Sequence, residues 1–92
     1  MHERKSEKEL ERTMKALANR RRLAILRLLR KEKEMTVGAL ADQIRLSFRS
    51  TSKHLLVLSN AGLVECEQRS SQMFYSLASD IPEVARRVIV LL

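Results

Sequence analysis

Aromatic residues make up only 3% of this 92-residue chain, and Trp is absent. Leu, Ile, Val, Met and Ala must therefore fill its core. Two Gly and one Pro are far below average usage, which argues against a turn-rich β-sandwich and for a mostly helical fold. The single Cys excludes an intramolecular disulfide framework and a cysteine-cluster metal site within one chain. No apolar run approaches the ~18 residues of a membrane span, and residues 1–15 lack the apolar stretch of a secretory signal. The expected location is the cytoplasm, with no membrane partner. Acids are scarce as well: 11 Asp and Glu face 18 Lys and Arg, a net charge of +7. Such an excess fits a polyanionic partner, nucleic acid first, about as well as it fits a merely soluble basic surface.

What is present reads as one small domain over residues 1–92. Leu10, Met14 and Leu17 form a narrow apolar stripe, so a helix is expected over about 6–18, with Glu11 and Lys15 placed for an i,i+4 pair. Asn19 can cap a second helix over about 20–31, apolar around most of its circumference and hence central. Thr36 can cap a short helix over 36–44. After the break Arg45-Leu46-Ser47, with Ser47 as cap, a longer helix runs over about 48–60. Gly62 ends it by supplying a left-handed residue. Strand-like runs at about 63–69 and 73–77 flank a hairpin turn, Arg69-Ser70-Ser71-Gln72. Asp80 and Glu83 have capping-box spacing at the start of a last helix over about 81–92, and Pro82 fits its first turn. Two helices joined by a short turn and followed by a β-hairpin make a winged helix-turn-helix: mainly α, in the order α-α-α-α-β-β-α.

Helix 48–60 contains no Asp or Glu. At 100° per residue, Thr51, Leu55 and Leu58 face the core, flanked by His54 and Ala61. Arg49, Ser52, Lys53, Leu56 and Asn60 face the other way. Two cations, a hydroxyl and an amide are what a DNA major groove requires: Arg and Lys for guanine edges and phosphates, Ser and Asn for adaptable hydrogen bonds. Arg49 and Ser50 lie at the N-terminal end, the end that usually enters the groove. The expected contacts to double-stranded DNA are Arg45, Ser47, Arg49, Ser50, Ser52, Lys53, His54, Asn60 and, weakly, Arg69, the wing's lone cation. The alternative is a winged helix used as a protein-interaction or architectural module without operator choice. No catalytic site is expected, because no acid or nucleophile accompanies either His in sequence and no Gly-rich phosphate loop occurs.

The stretch ALANRRRLAILRLL (16–29) resembles the opening of ArsR-type winged-helix repressors. TVGALADQIRLSFRSTSKHLLVLSNAGLVE (36–65) is similar to their helix-turn-helix, including Ser52-Lys53-His54-Leu55 and the Leu-x-x-Ala-Gly-Leu-Val ending at 58–64. The likeness spans about residues 10–78. It implies a symmetric homodimer held by the first and last helices, bound to a near-palindromic operator until an effector releases it. Neither operator nor effector is named by the sequence. Metal-sensing members carry a Cys-x-Cys-type motif before the first helix of the turn, where this chain has Glu32-Lys33-Glu34-Met35-Thr36. Others use Asp and His on the last helix, where this chain has Asp80 and Glu83 followed by Arg86 and Arg87. No metal and no cofactor are therefore expected.

Three features carry two readings each. Cys66 reads as a small buried hydrophobe, or as a redox-active thiol if exposed. His54 reads as a packed or hydrogen-bonded side chain, or as a phosphate contact. Arg20-Arg21-Arg22 opposes a helix dipole and reads as a solvated or ion-paired cluster in preference to a phosphate contact. The last helix holds more apolar residues than a free surface tolerates. A dimer seam of Leu10, Met14, Leu17, Val84, Val88, Leu91 and Leu92 accounts for both terminal stripes, better than a membrane-surface helix does.

Overall fold

The computed structural model describes residues 6–92; His2 and the charged residues before Ser6 lie outside them. Among the described residues, α1 (Glu7–Leu17), α2 (Arg20–Glu32), β1 (Glu34–Thr36), α3 (Val37–Ile44), α4 (Phe48–Asn60), β2 (Val64–Arg69), β3 (Gln72–Leu77) and α5 (Glu83–Ile89) follow in order. The caps read from sequence are in place. Asn19 accepts the Arg22 N–H at 3.0 Å, Thr36 that of Ala39 at 3.2 Å and Ser47 that of Ser50 at 3.0 Å. Ser6 and Glu9 add a reciprocal capping box to α1. Glu11 and Lys15 pair at 3.5 Å on the surface, a contact of about 0.3–0.5 kcal/mol.

α2 is the central helix. Its Ile25, Leu26 and Leu29 pack with Leu40 of α3, Leu55 and Leu58 of α4, Leu63, and Ala85 and Ile89 of α5. Fully buried Leu and Ile side chains each contribute about 1.5–3 kcal/mol. Among the described residues, none of the buried ones is aromatic.

α2 also ties down the ends of its neighbours. Arg21 donates to the Ile44 carbonyl at 2.7 Å, where α3 ends. Arg22 donates from Nε to Ala16 at 2.6 Å and from Nη2 to Lys15 at 2.9 Å, at the end of α1. Arg30 reaches the carbonyls of Ile89 and Val90 at 3.0 Å, at the end of α5. Helix C-termini carry unpaired carbonyls and partial negative charge, so guanidinium groups satisfy both. In a chain poor in acids, two of the three consecutive arginines, half-buried and without an ion pair, thus cap other helices.

The sheet has three strands, not two. β1 pairs antiparallel with β3, Met35 opposite Tyr75, and the order is β1-β3-β2. The hairpin strands themselves lie within one residue of their expected bounds. Ser70, with φ 56°, turns the hairpin without a glycine. α5 is shorter than expected: it runs from Glu83 to Ile89 instead of 81–92. Its N-cap is Pro82, which makes no side-chain cap bond, and Glu83 pairs with Arg87 at 3.1 Å instead of closing a box with Asp80. Cys66 is exposed on β2, not buried. Leu17, only 7% exposed, belongs to the protomer's own core and is at most the floor of a dimer seam.

Candidate nucleic-acid interface

Two buried constraints orient α4. Thr51, Leu55 and Leu58 are fully buried, which fixes the helix's rotation about its axis. The turn before it fixes its start. Leu46 N–H donates to Ala41 at 3.0 Å and Arg45 N–H to Asp42 at 3.3 Å, the two bonds of a Schellman ending. Arg45 occupies its left-handed position, with φ 57° and ψ 50°. Thr51 then returns its hydroxyl to the Ser47 carbonyl at 2.8 Å, so the first turn is held from both sides.

The outward surface follows. Arg45, Ser47, Arg49 and Lys53 are exposed, and Ser50 and Ser52 are half-buried. These six lie within the turn and the first two turns of α4. None of the ion pairs among the described residues involves Arg45, Arg49 or Lys53. The first turn of α4 holds no acid, and the positive end of the helix dipole adds to the side-chain field. The result is an unneutralised cationic edge on a rigid rod.

The other expected residues stand apart from this edge. Asn60 is exposed but lies about 16 Å along the axis from Arg49 at 1.5 Å per residue. There it faces the groove against Lys8 and Arg12 of α1. Arg69 is on the wing, where it pairs with Glu34 and, at 3.5 Å, with Glu67. Its guanidinium also stacks 4.3 Å from the Phe74 ring centroid. Hydrogen bonding to Glu34 raises its already high pKa, and the two carboxylates offset its charge. His54 is half-buried. Its Nδ1 lies 3.3 Å from Arg22 Nη1. Arginine can only donate, so Nδ1 accepts and the neutral ring carries its proton on Nε2. Burial, then Arg22 and Arg21, push its pKa below the ordinary value.

Phe48 went unread as a surface feature. It is the first residue of α4 and 62% exposed. A helical wheel does not reveal it: Phe48 lies about 20° from buried Leu55 and about 40° from Ser52, and it is exposed because it stands at the first position of α4, ahead of the buried positions.

A helix-turn-helix domain family matches residues 17–67, more than half of the chain. The chain belongs to the ArsR-type winged helix-turn-helix regulators. Transcriptional activator HlyU of Vibrio cholerae is 41% identical over 66 residues, 72% of this chain and 60% of that relative. The chain thus spans less than two thirds of that curated relative's length. The solved structure of HlyU from the same organism superposes with a TM-score of 0.80 at 34% identity, covering 97% of this chain and 92% of that one. The homodimeric winged helix-turn-helix DNA-binding domain of Mb0332 from Mycobacterium bovis, a possible ArsR-family regulator, gives 0.76 at 32% identity, covering 99% and 85%. The transcriptional repressor BigR from Xylella fastidiosa gives 0.75 at 30%, covering 92% and 80%. Among the described residues, no three His, Cys, Asp or Glu side chains are grouped to hold a metal ion, and no helix is long and apolar enough to cross a membrane.

Proposed function

We propose that this regulator is a dimeric, sequence-specific reader of double-stranded DNA that acts by occupying operator sites, as a repressor does. The observation that carries this is the free cationic edge of Arg45, Arg49 and Lys53 at the start of α4. Arg49 and Ser52 approach base edges, and Lys53 contacts phosphate. Ser47 and Ser50 line the same end, and His54 stands apart against Arg22. Asn60 and Arg69 are peripheral, the first by distance and the second by its carboxylate partners.

Dimerisation is supported by the apolar residues at the two ends of the chain. Leu10 is 42% exposed, Met14 54%, Val90 57% and Leu91 82%, with Val84, Val88 and Leu92 half-buried beside them. Leu10 and Met14 of α1 and Val84 and Val88 of α5 adjoin across contiguous apolar hollows. Two copies about a two-fold axis would set their α4 helices in successive major grooves, about 34 Å apart.

Selection of bound duplexes from a random pool tests this. Enrichment of one inverted repeat is the expected result, and an unselective pool favours an architectural module. On the selected site, Arg49→Ala costs about 1–3 kcal/mol and relaxes sequence choice, whereas Lys53→Ala weakens all duplexes alike and lowers the salt slope by about one. Equal losses for both variants on selected and scrambled DNA would refute the division of roles.

A further inference from the structure

Phe48 is the less expected part of the DNA-facing end. The chain has two Phe. Phe74 lies beneath the Arg69 guanidinium, but Phe48 stands in solvent at the first position of α4. Beside it, Met73 of β3 is 42% exposed. Together they wall a groove of about 320 Å³ between the start of α4, the wing tip at Ser71 and the start of α3 at Thr36 and Gly38. The groove borders the cationic edge, because Phe48 is followed directly by Arg49 and lies one helical turn before Ser52.

An apolar ring at the leading end of a groove-reading helix has one apolar partner on the edge of a base pair in the major groove, the 5-methyl group of thymine. We infer that Phe48 is a specificity-determining residue that reads a thymine methyl in each half-site, with Met73 closing the far side of the contact. This rests on the DNA-binding function proposed above. The charge of the neighbouring edge selects the occupant: a polyanion whose bases carry apolar methyls fits, and an apolar protein segment without anionic flanks does not.

The test uses the selected duplex, with each thymine replaced in turn by 2′-deoxyuridine, which deletes only the methyl. Binding of the full chain is followed by fluorescence anisotropy. One thymine per half-site should matter, with a loss of about fourfold, the value of one buried methyl-sized group. In Phe48→Ala the thymine and uracil duplexes should bind alike, while Phe48→Leu keeps the preference. Phe48 is exposed, so its removal leaves the core intact, and thermal melts confirm that the variant is folded. Leu56, 60% exposed on the same helix, is the competing reader, and Leu56→Ala should leave the uracil effect in place. A uracil effect that survives in Phe48→Ala, or vanishes in Leu56→Ala instead, overturns the assignment. So does indifference to every thymine on a duplex that is bound selectively, and there the regulator reading stands. If no duplex is selected at all, both fall.

Discussion

The two ends of the helix-turn-helix close with the same hydrogen-bond pattern and different residues. At the end of α4, Leu63 N–H reaches Leu58 at 2.9 Å and Gly62 N–H reaches Ser59 at 3.0 Å, with Gly62 at φ 77°. At the end of α3, Leu46 and Arg45 make the equivalent bonds to Ala41 and Asp42, with Arg45 at φ 57°. The left-handed position suits glycine and costs other residues about 1–2 kcal/mol. The chain takes the unstrained solution where the helix leads back into the sheet. It accepts the strained one where the turn faces outward beside Arg49. On the proposed function, that strain holds a guanidinium at the start of the helix that would read DNA.

Substitutions can break or sharpen that contrast. The largest effect is expected at the relaxed end. A Cβ at Gly62 meets nothing within 4 Å, so Gly62→Ala isolates the backbone penalty. It should lose about 1–2 kcal/mol of stability, a fall of several degrees in the melting midpoint. DNA affinity of the folded fraction should not change. At the strained end the sign reverses. Arg45→Gly should gain about 0.5–1 kcal/mol, the strain relieved less the entropy of the added glycine, and should weaken DNA binding in the same preparation. A variant that gains stability with unchanged affinity would mean that Arg45 is strained for no functional return.

Between the two ends sits His54, where the smallest effect is expected. Its folded pKa lies below the ordinary 6.5, so in the window beneath that value the unfolded chain binds the extra proton. Stability contributed by the neutral ring is therefore complete above about pH 6.5 and is lost as the pH falls toward the folded value. Chemical denaturation of wild type and His54→Gln between pH 7.5 and 5 should show the gap between them changing in that direction. A constant gap would mean that neither burial nor the neighbouring arginines hold the ring neutral.

Sequence patterning exposed α2, α3 and α4 because each carries its own start signal: Asn19, Thr36 and Ser47 cap as their positions imply. The rotation of α4 was legible for the same reason, since Thr51, Leu55 and Leu58 recur at helical spacing. β1 was not legible. Glu34-Met35-Thr36 is too short for a period to show, and only its partner β3 makes it a strand. The fate of Arg21, Arg22 and Arg30 was hidden as well. Their acceptors are backbone carbonyls of distant segments, and carbonyls leave no mark in a sequence. Cys66 misled because β2 leaves the core after Val64: residues 65–69 are exposed on both faces of the strand, so neither residue type nor alternation marks Cys66 as exposed. Phe48 was overlooked for another reason: its angle falls about 20° from Leu55, on the core side, and only its place at the very start of α4 leaves it in solvent.

The arginine anchors of α2 reach α1, α3 and α5, and through His54 also α4. One rod thereby gauges both the reading edge and the apolar terminal surfaces against each other. In a two-fold pair, the separation of the two readers would be inherited from that internal jig, not negotiated on the duplex. A molecule altering operator spacing would have to loosen a guanidinium from a helix end before it could move anything else.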